Sequence, residues 1–274
     1  MPEGDTIYRL ARRLQDSVEG QQILSSDLRV PRFATVDLSG RRVSEVRAAG
    51  KHLFMAMGLP VVDEGPLAPA EVILHSTLAM EGTWRLHPTG ARFSAGPAHQ
   101  IRAILRFRDV TAVGYRLARL EVLRPTGLTQ VTQRLGPDLL GADWDAGLAV
   151  TNLLRQPQRS IGDALLDQGN LAGIGNVYKS ELCFRARVWP GTSVAEVTDL
   201  RGLVDDARQL LLENRDTVKR VTTGDQRRPL WVYRRGGRPC YRCGHTIRVE
   251  TQGDAGRERW TWWCPRCQPD GSPA

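Results

Sequence analysis

The spacing of apolar residues changes character along the chain. From about Asp5 to Gln15 they fall at Ile7, Leu10, Ala11 and Leu14, while Arg12 and Arg13 point elsewhere, which is the spacing of an amphipathic helix. From about Ile23 to Leu123 the runs are short. HLFMAM, EVILH, IRAILRFR and TAVGYRL are apolar or alternating, and they predict strands. In IRAILRFR, Ile101, Ala103, Leu105 and Phe107 alternate with Arg102, Arg106 and Arg108, and Ile104 interrupts the polar side. One buried face and one basic face are expected. Clusters of glycine, proline and aspartate, such as VDEGPLAPAE, separate the runs. This half predicts a β-sandwich with one N-terminal helix.

From about Gly127 to Val221 the helical period dominates. NLLRQPQRSIGDALLDQ and SELCFRARV are helix-like. In DLRGLVDDARQLLLENRDTVKRV, Leu200, Leu203, Val204, Ala207, Leu210 and Leu211 form an apolar stripe. A basic connector, TTGDQRRPLWVYRRGGRP, leads to a cysteine-rich end, and QPDGSPA reads as a frayed tail. There is no internal repeat. The expected fold class is α+β in two domains, partitioned as a β-sandwich with its flanking helix (1–125), a helical domain (126–222), a connector (223–239) and a four-cysteine hairpin (240–268).

Composition narrows the function classes. No apolar run approaches the ~20 residues that span a membrane. The first residues are polar and charged, so no secretory signal is expected and the cytoplasm is the expected location. The formal charge is +8 and the pI about 9.7, which favours a polyanionic partner, nucleic acid first. Lys51, Lys179 and Lys219 are the only lysines; the other basic residues are arginine, whose planar fork suits phosphate. That rarity singles out Lys51 in GKHLF, although a lone lysine in a loop would look the same.

The cysteines are the sharpest chemical signal. Cys240 and Cys243 form one CxxC, Cys264 and Cys267 another. Four thiolates in two such pairs close a tetrahedral site, and zinc is the ion expected there. A segment of about 30 residues has little core of its own, so the metal would supply its folding energy. The fifth cysteine, Cys183, lies between Leu182 and Phe184 and reads as a small buried hydrophobe. Between the pairs, Arg257 and Arg259 precede Trp260, Trp262 and Trp263, which predicts a hairpin strand with one face on the metal and the other offering arginine. In DQGNLAGIGNVYKSEL, Gly173 and Gly175 permit a tight turn and Asn176 opens a helix. Free amides at that helix start would seat a phosphate, though a plain helix–turn–helix contact reads the same way.

Pro2-Glu3-Gly4-Asp5 on its own reads as a turn into a helix. Together with GKHLF, LLDQGNLAGIGNVYKSE and RWTWWCPRCQ, in that order from Pro2 to Gln268, it resembles the formamidopyrimidine-DNA glycosylase/endonuclease VIII family. QRLGPDLL and LARLEVLRP are more similar to the endonuclease VIII branch, in an actinobacterial-type form. The branch that excises oxidised guanine carries an Asp-Pro-Arg-Arg-Phe-Gly stretch that is not present here, and the connector looks short for its base-covering loop. The resemblance implies a β-sandwich, a helix–two-turn–helix domain, a structural zinc finger and a cleft for DNA between the halves. It implies a monomeric, nucleoid-associated bacterial enzyme of base-excision repair that removes oxidised pyrimidines and then cuts the strand by β,δ-elimination. Pro2, freed of Met1, would be the attacking amine, with Glu3 and Lys51 beside it in catalysis. Lys51, Asn176 and Arg259 would hold phosphates, and Met80 would fill the gap left by the extruded base. The sequence has Thr6 where the family carries a glutamate, and STLAM where it carries HLGM. Removal of oxidised purines, or DNA binding without catalysis, remain open alternatives.

Overall fold

A computed structural model describes residues 2–58, 71–91, 97–253, 256 and 258–270. Met1, most of the VDEGPLAPAE separator, Arg257 and the end of the tail lie outside the described residues. The chain folds as two compact units: Pro2 with residues 6–133, and residues 3–5 with the chain from Arg134 onward.

In the first unit, α1 (Gly4–Val18) runs a turn further than its apolar spacing predicted. Two four-stranded antiparallel sheets follow. One has the order β2 (Arg42–Ala49), β3 (His52–Gly58), β4 (Val72–Thr77), β8 (Arg119–Leu123). The other has the order β1 (Ser25–Leu28), β6 (Ile101–Arg106), β7 (Val110–Tyr115), β5 (Thr83–Pro88). Leu53, Met55 and Leu74 of the first sheet and Ala103, Leu105 and Ala112 of the second share one core with Ile7, Ala11, Leu14 and Val18 of α1. The sandwich with its flanking helix is therefore present. The alternation expected in β6 is not regular, because the register with β7 slips between Ile101 and Ala103. Ile101 leaves the main core and joins Ile104, Val113 and Tyr115 in a separate apolar cluster, so the second face of β6 is not simply basic. A short helix, α2 (Pro125–Thr132), follows β8.

The second unit is helical. NLLRQPQRSIGDALLDQ, helix-like throughout by its spacing, is broken into α3 (Ala146–Leu154) and α4 (Ile161–Leu166). Pro157 lies in the break, and Ser160 restarts the helix by accepting the Asp163 N–H at 3.2 Å. α5 (Asn176–Arg185) is central, with all but its last residue buried. The stripe of α6 (Leu200–Asn214) packs in the same core as Tyr178, Leu182 and Cys183. The DTVKRV stretch expected to continue α6 does not. Asn214 donates to the Leu210 and Val221 carbonyls and accepts the Val221 N–H at 2.6 Å, which folds the chain back on itself. β9 (Arg248–Gln252) and β10 (Arg259–Trp263) form the expected antiparallel hairpin. The chain leading to it is held by the buried Glu181 carboxylate, which accepts the N–H groups of Trp231, Val232 and Tyr233 at 2.8, 2.9 and 2.8 Å.

Candidate functional site

Glu3 is fully buried at the entry to α5. Its carboxylate accepts the N–H groups of Gly175 (2.9 Å), Val177 (2.8 Å) and Tyr178 (3.3 Å). These are orphan donors of a helix start, and the helix dipole adds to their pull on an anion. The amides expected to be free for phosphate are thus taken by a side chain of the protein itself. The glycines make this approach possible. A Cβ on Gly175 would fall 2.5 Å from the Glu3 carboxyl carbon, and Gly173, at φ +115°, brings its carbonyl to the Gly4 N–H at 2.8 Å.

A second carboxylate, Asp5, lies beside it. Arg220 grips Asp5 with Nε and Nη2 at 2.8 and 2.5 Å, stands 4.0 Å from Glu3 and covers the Tyr178 ring at 4.7 Å from the centroid. The Tyr178 hydroxyl donates to Asp5 at 3.0 Å, and burial together with the Asp5 charge raises its pKa, so it stays a donor. Burial works against the charge on Arg220, but Glu3 and Asp5 overcome it and raise its pKa. Sequence reasoning missed Asp5, Tyr178 and Arg220 as members of the site. Asp5 was legible only as an acidic residue at a helix start, and its partner lies 215 residues away.

Asn176 is buried, and its Nδ2 donates to the Trp260 carbonyl at 2.7 Å, while its Oδ1 has no partner. Arg259 is exposed at the start of β10. Trp260, next to it, is 59% exposed, whereas Trp263 is buried. Trp262 packs with the cysteines, Phe184, Val232 and Ile247, so the hairpin does set one face against the metal-binding end. The sulfurs of Cys240, Cys243, Cys264 and Cys267 all lie within 4.8 Å of one another. The Cys240–Cys267 and Cys243–Cys264 pairs are 4.0 and 3.4 Å apart. Thiolates around a tetrahedral ion at a bond length of ~2.3 Å would be about 3.8 Å apart, so the four fit such an ion. Cys183 is fully buried away from them, and burial pushes its thiol up to about 12.

In the sandwich, Gly50 (φ +54°) and Lys51 form the two-residue turn joining β2 to β3, with Lys51 half-buried. Met80 is 57% exposed in the turn after β4. That turn is tight: Ala79 has φ +49°, and a Cβ on Gly82 would meet the Leu78 carbonyl oxygen at 2.4 Å. Beside Lys51, His52 and His75 join at 2.8 Å, and His75 reaches Glu121 at 3.2 Å. A carboxylate at the end of this row makes His75 Nδ1 the donor, and His52 Nδ1 then donates to His75 Nε2. Burial, helped by the charges of His75, Arg119 and Lys51 and opposed by Glu121, lowers the pKa of His52 to about 4.

A β-sandwich unit and a helical unit with a four-cysteine hairpin are the features that the resemblance implied; the buried carboxylate at the glycine-rich helix entry is an addition to them. Residues 1–127 match the formamidopyrimidine-DNA glycosylase N-terminal domain, and residues 135–221 match the formamidopyrimidine-DNA glycosylase H2TH domain. The chain belongs to the formamidopyrimidine-DNA glycosylase/endonuclease VIII family. It is 51% identical to the probable endonuclease 8 2 of Streptomyces coelicolor, over 100% of this chain and 96% of that one. It is 46% identical to the DNA-(apurinic or apyrimidinic site) lyase Nei2 of Mycolicibacterium smegmatis, over 98% and 99%. In fold it is similar to the Lactococcus lactis formamidopyrimidine-DNA glycosylase bound to DNA containing an abasic site, at a TM-score of 0.77 and 24% identity, covering 97% of this chain and 99% of that one.

Proposed function

We propose that this protein is a bifunctional DNA glycosylase and abasic-site lyase of base-excision repair that acts on oxidised pyrimidines through the amine of Pro2. The observation that carries the reading is the seat of Glu3. A carboxylate one residue after the proposed nucleophile is fully buried and held by three backbone N–H groups, so its place in the site is set before substrate arrives. The full-length likeness to endonuclease 8 relatives and to an abasic-site lyase supports the same assignment.

The chemistry follows from the residue types. Removal of Met1 leaves a secondary amine on Pro2. An α-amino group with a pKa near ~8 is uncharged for about a tenth of the time at neutral pH, far more than a lysine. Its lone pair forms a bond to the sugar C1′, and the glycosidic bond breaks with its electron pair leaving on the protonated base. Bond formation leaves the Pro2 nitrogen an ammonium; the Glu3 carboxylate takes up that proton and passes it to O4′ as the C1′–O4′ bond opens, and the nitrogen becomes a cationic iminium. Loss of a C2′ proton pushes electrons toward C3′ and expels the 3′ phosphate. A second elimination expels the 5′ phosphate, and water releases the enzyme from the sugar fragment.

Lys51, Asn176 and Arg259 are assigned to the DNA backbone and Met80 to the space vacated by the extruded base. Lys51 is half-buried in its turn, Arg259 and Met80 are exposed, and Asn176 Nδ2 keeps one hydrogen to give. The metal is assigned as zinc. Bound by Cys240, Cys243, Cys264 and Cys267, it would cross-link the hairpin and take no part in the chemistry.

Borohydride trapping tests the assignment. The Met1-processed protein is mixed with duplex oligonucleotides bearing thymine glycol, 8-oxoguanine or an abasic site. A covalent adduct on thymine glycol that maps to the N-terminal peptide, and that is lost in Pro2→Gly, is expected. Trapping on the abasic strand with cleavage of 8-oxoguanine alone would move the substrate to oxidised purines. Binding with no adduct on any strand would reduce the protein to a DNA binder.

A further inference from the structure

Lys179 is the one fully buried lysine of the chain. It lies three residues after Asn176 on α5, so the two side chains share a helix face. Both meet β10. Asn176 Nδ2 donates to the carbonyl of Trp260 at 2.7 Å, and Lys179 Nζ donates to Thr261 Oγ1 at 2.5 Å. Burial lowers the Lys179 pKa to about 8 against the pull of Asp163 and Glu3, neither of which forms an ion pair with it among the described residues. A methionine would fill a similar volume without the cost of burying an ammonium.

The lysine begins a row of hydrogen bonds with a fixed direction. With Lys179 donating to Thr261, the Thr261 hydroxyl turns its hydrogen toward Gln252 Oε1 at 3.2 Å, with the Arg259 carbonyl at 3.3 Å as its other acceptor. Gln252 Nε2 donates to Ser160 Oγ at 2.9 Å, and Ser160 donates to Asp163 Oδ2 at 2.6 Å. The row runs from a cation to an anion, each member passing its hydrogen onward, so the bonds reinforce one another. It ties α5, β10, β9 and the start of α4 together. It also runs along a cavity of about 240 Å³ lined by Ser160, Asp163, Trp189, Gln252, Thr261 and Trp263. Side-chain packing is therefore incomplete on this side of the hairpin, where the polar row spans the gap. Arg259 lies two residues before Thr261, on the same side of β10.

We propose that Lys179 is a positioning residue whose bond to Thr261 locks β10 onto α5, so that Asn176 and Arg259 meet the DNA backbone as one preset grip. This rests on the DNA-repair reading above. Lys179 touches no substrate in this role. It acts through Thr261 and the strand.

The test uses full-length, metal-loaded protein and a duplex carrying an uncleavable tetrahydrofuran abasic analogue, at temperatures well below unfolding. For Lys179→Met, the Kd is expected to rise about tenfold and the slope of log Kd against log salt to fall by about one, the signature of a lost phosphate contact. On an abasic substrate, KM should rise with kcat changed less than twofold, and the zinc content should stay at one per chain. Thr261→Val, which keeps the lysine and the strand's size, should give the same change. The Lys179→Met/Thr261→Val double variant should be no worse than either single one. A Kd and salt slope unchanged in both single variants, or additive losses in the double, would overturn the proposal. Arg259→Ala separates the two levels. If it weakens binding while Lys179→Met does not, only the role of Lys179 falls. If it leaves binding and salt slope untouched, the backbone grip falls and the positioning role falls with it.

Discussion

Arg220 carries more of the site than its place in the sequence suggests. It is the only cation in contact with Asp5 and Glu3 among the ion pairs described, and all three are largely buried. Removing one member of such a group leaves buried charge less compensated, which typically costs about 3–5 kcal/mol. Arg220→Met is therefore expected to lower the urea midpoint of the second unit strongly, and Arg220→Met/Asp5→Asn to recover part of the loss. A midpoint unchanged in the single variant would show that the group is solvated. At this scale the sequence was legible where chemistry is local. The paired CxxC cysteines, Cys183 as a buried thiol and the Gly-Asn helix entry all follow from neighbours in the chain. The clasp of Glu3 by residues 175–178 and of Asp5 by Arg220 was not legible, because no local pattern encodes a contact across some 170 to 215 residues.

Among the elements, the stripes of α1 and α6 and the short strands of the sandwich were readable from apolar spacing. The break between α3 and α4, the early end of α6 and the slip in β6 were not. Each is set by a proline, by a few polar contacts or by a single extra residue, which hardly disturb the period. The sheet β2–β3–β4–β8 holds a feature with a measurable consequence. His52 and His75 are both buried enough that their pKa values are lowered, His52 to about 4. The folded protein therefore binds fewer protons than the unfolded chain once the pH falls below the ordinary histidine value of about 6.5. Stability is full above that value and is lost as the pH falls toward 4. Unfolding free energies from urea titrations between pH 7.5 and 5, where carboxylates still hold their charge, should drop by an amount on the order of 1–2 kcal/mol. The drop should be smaller in His52→Gln. An equal slope in both proteins would place the titration elsewhere.

Taken whole, the molecule divides its stabilisation unevenly. The sandwich has a continuous apolar core, whereas the hairpin end has a small cluster built around the cysteines. With the metal assigned as zinc, a strong chelator should abolish the signals of Trp262 and Trp263 in near-UV circular dichroism and release one ion per chain. The β-sheet signal in the far-UV should persist. Loss of both together would mean that the metal end and the sandwich unfold as one. A +8 chain also predicts DNA binding that weakens steeply with salt, and that charge was legible from composition alone.

Residues 3–5 belong to a unit whose remainder begins at Arg134. On the ribosome, then, residues 3–5 are made long before the rest of their unit. At about 5–20 residues per second, some 10–40 s pass between the synthesis of Asp5 and that of Arg220. Through most of that interval Glu3 is without the amides that seat it. The same wiring makes a fragment starting at Arg134 incomplete. It would carry the α5 amides of Gly175, Val177 and Tyr178 with no carboxylate to receive them, and adding back a synthetic peptide of the first residues should stiffen it.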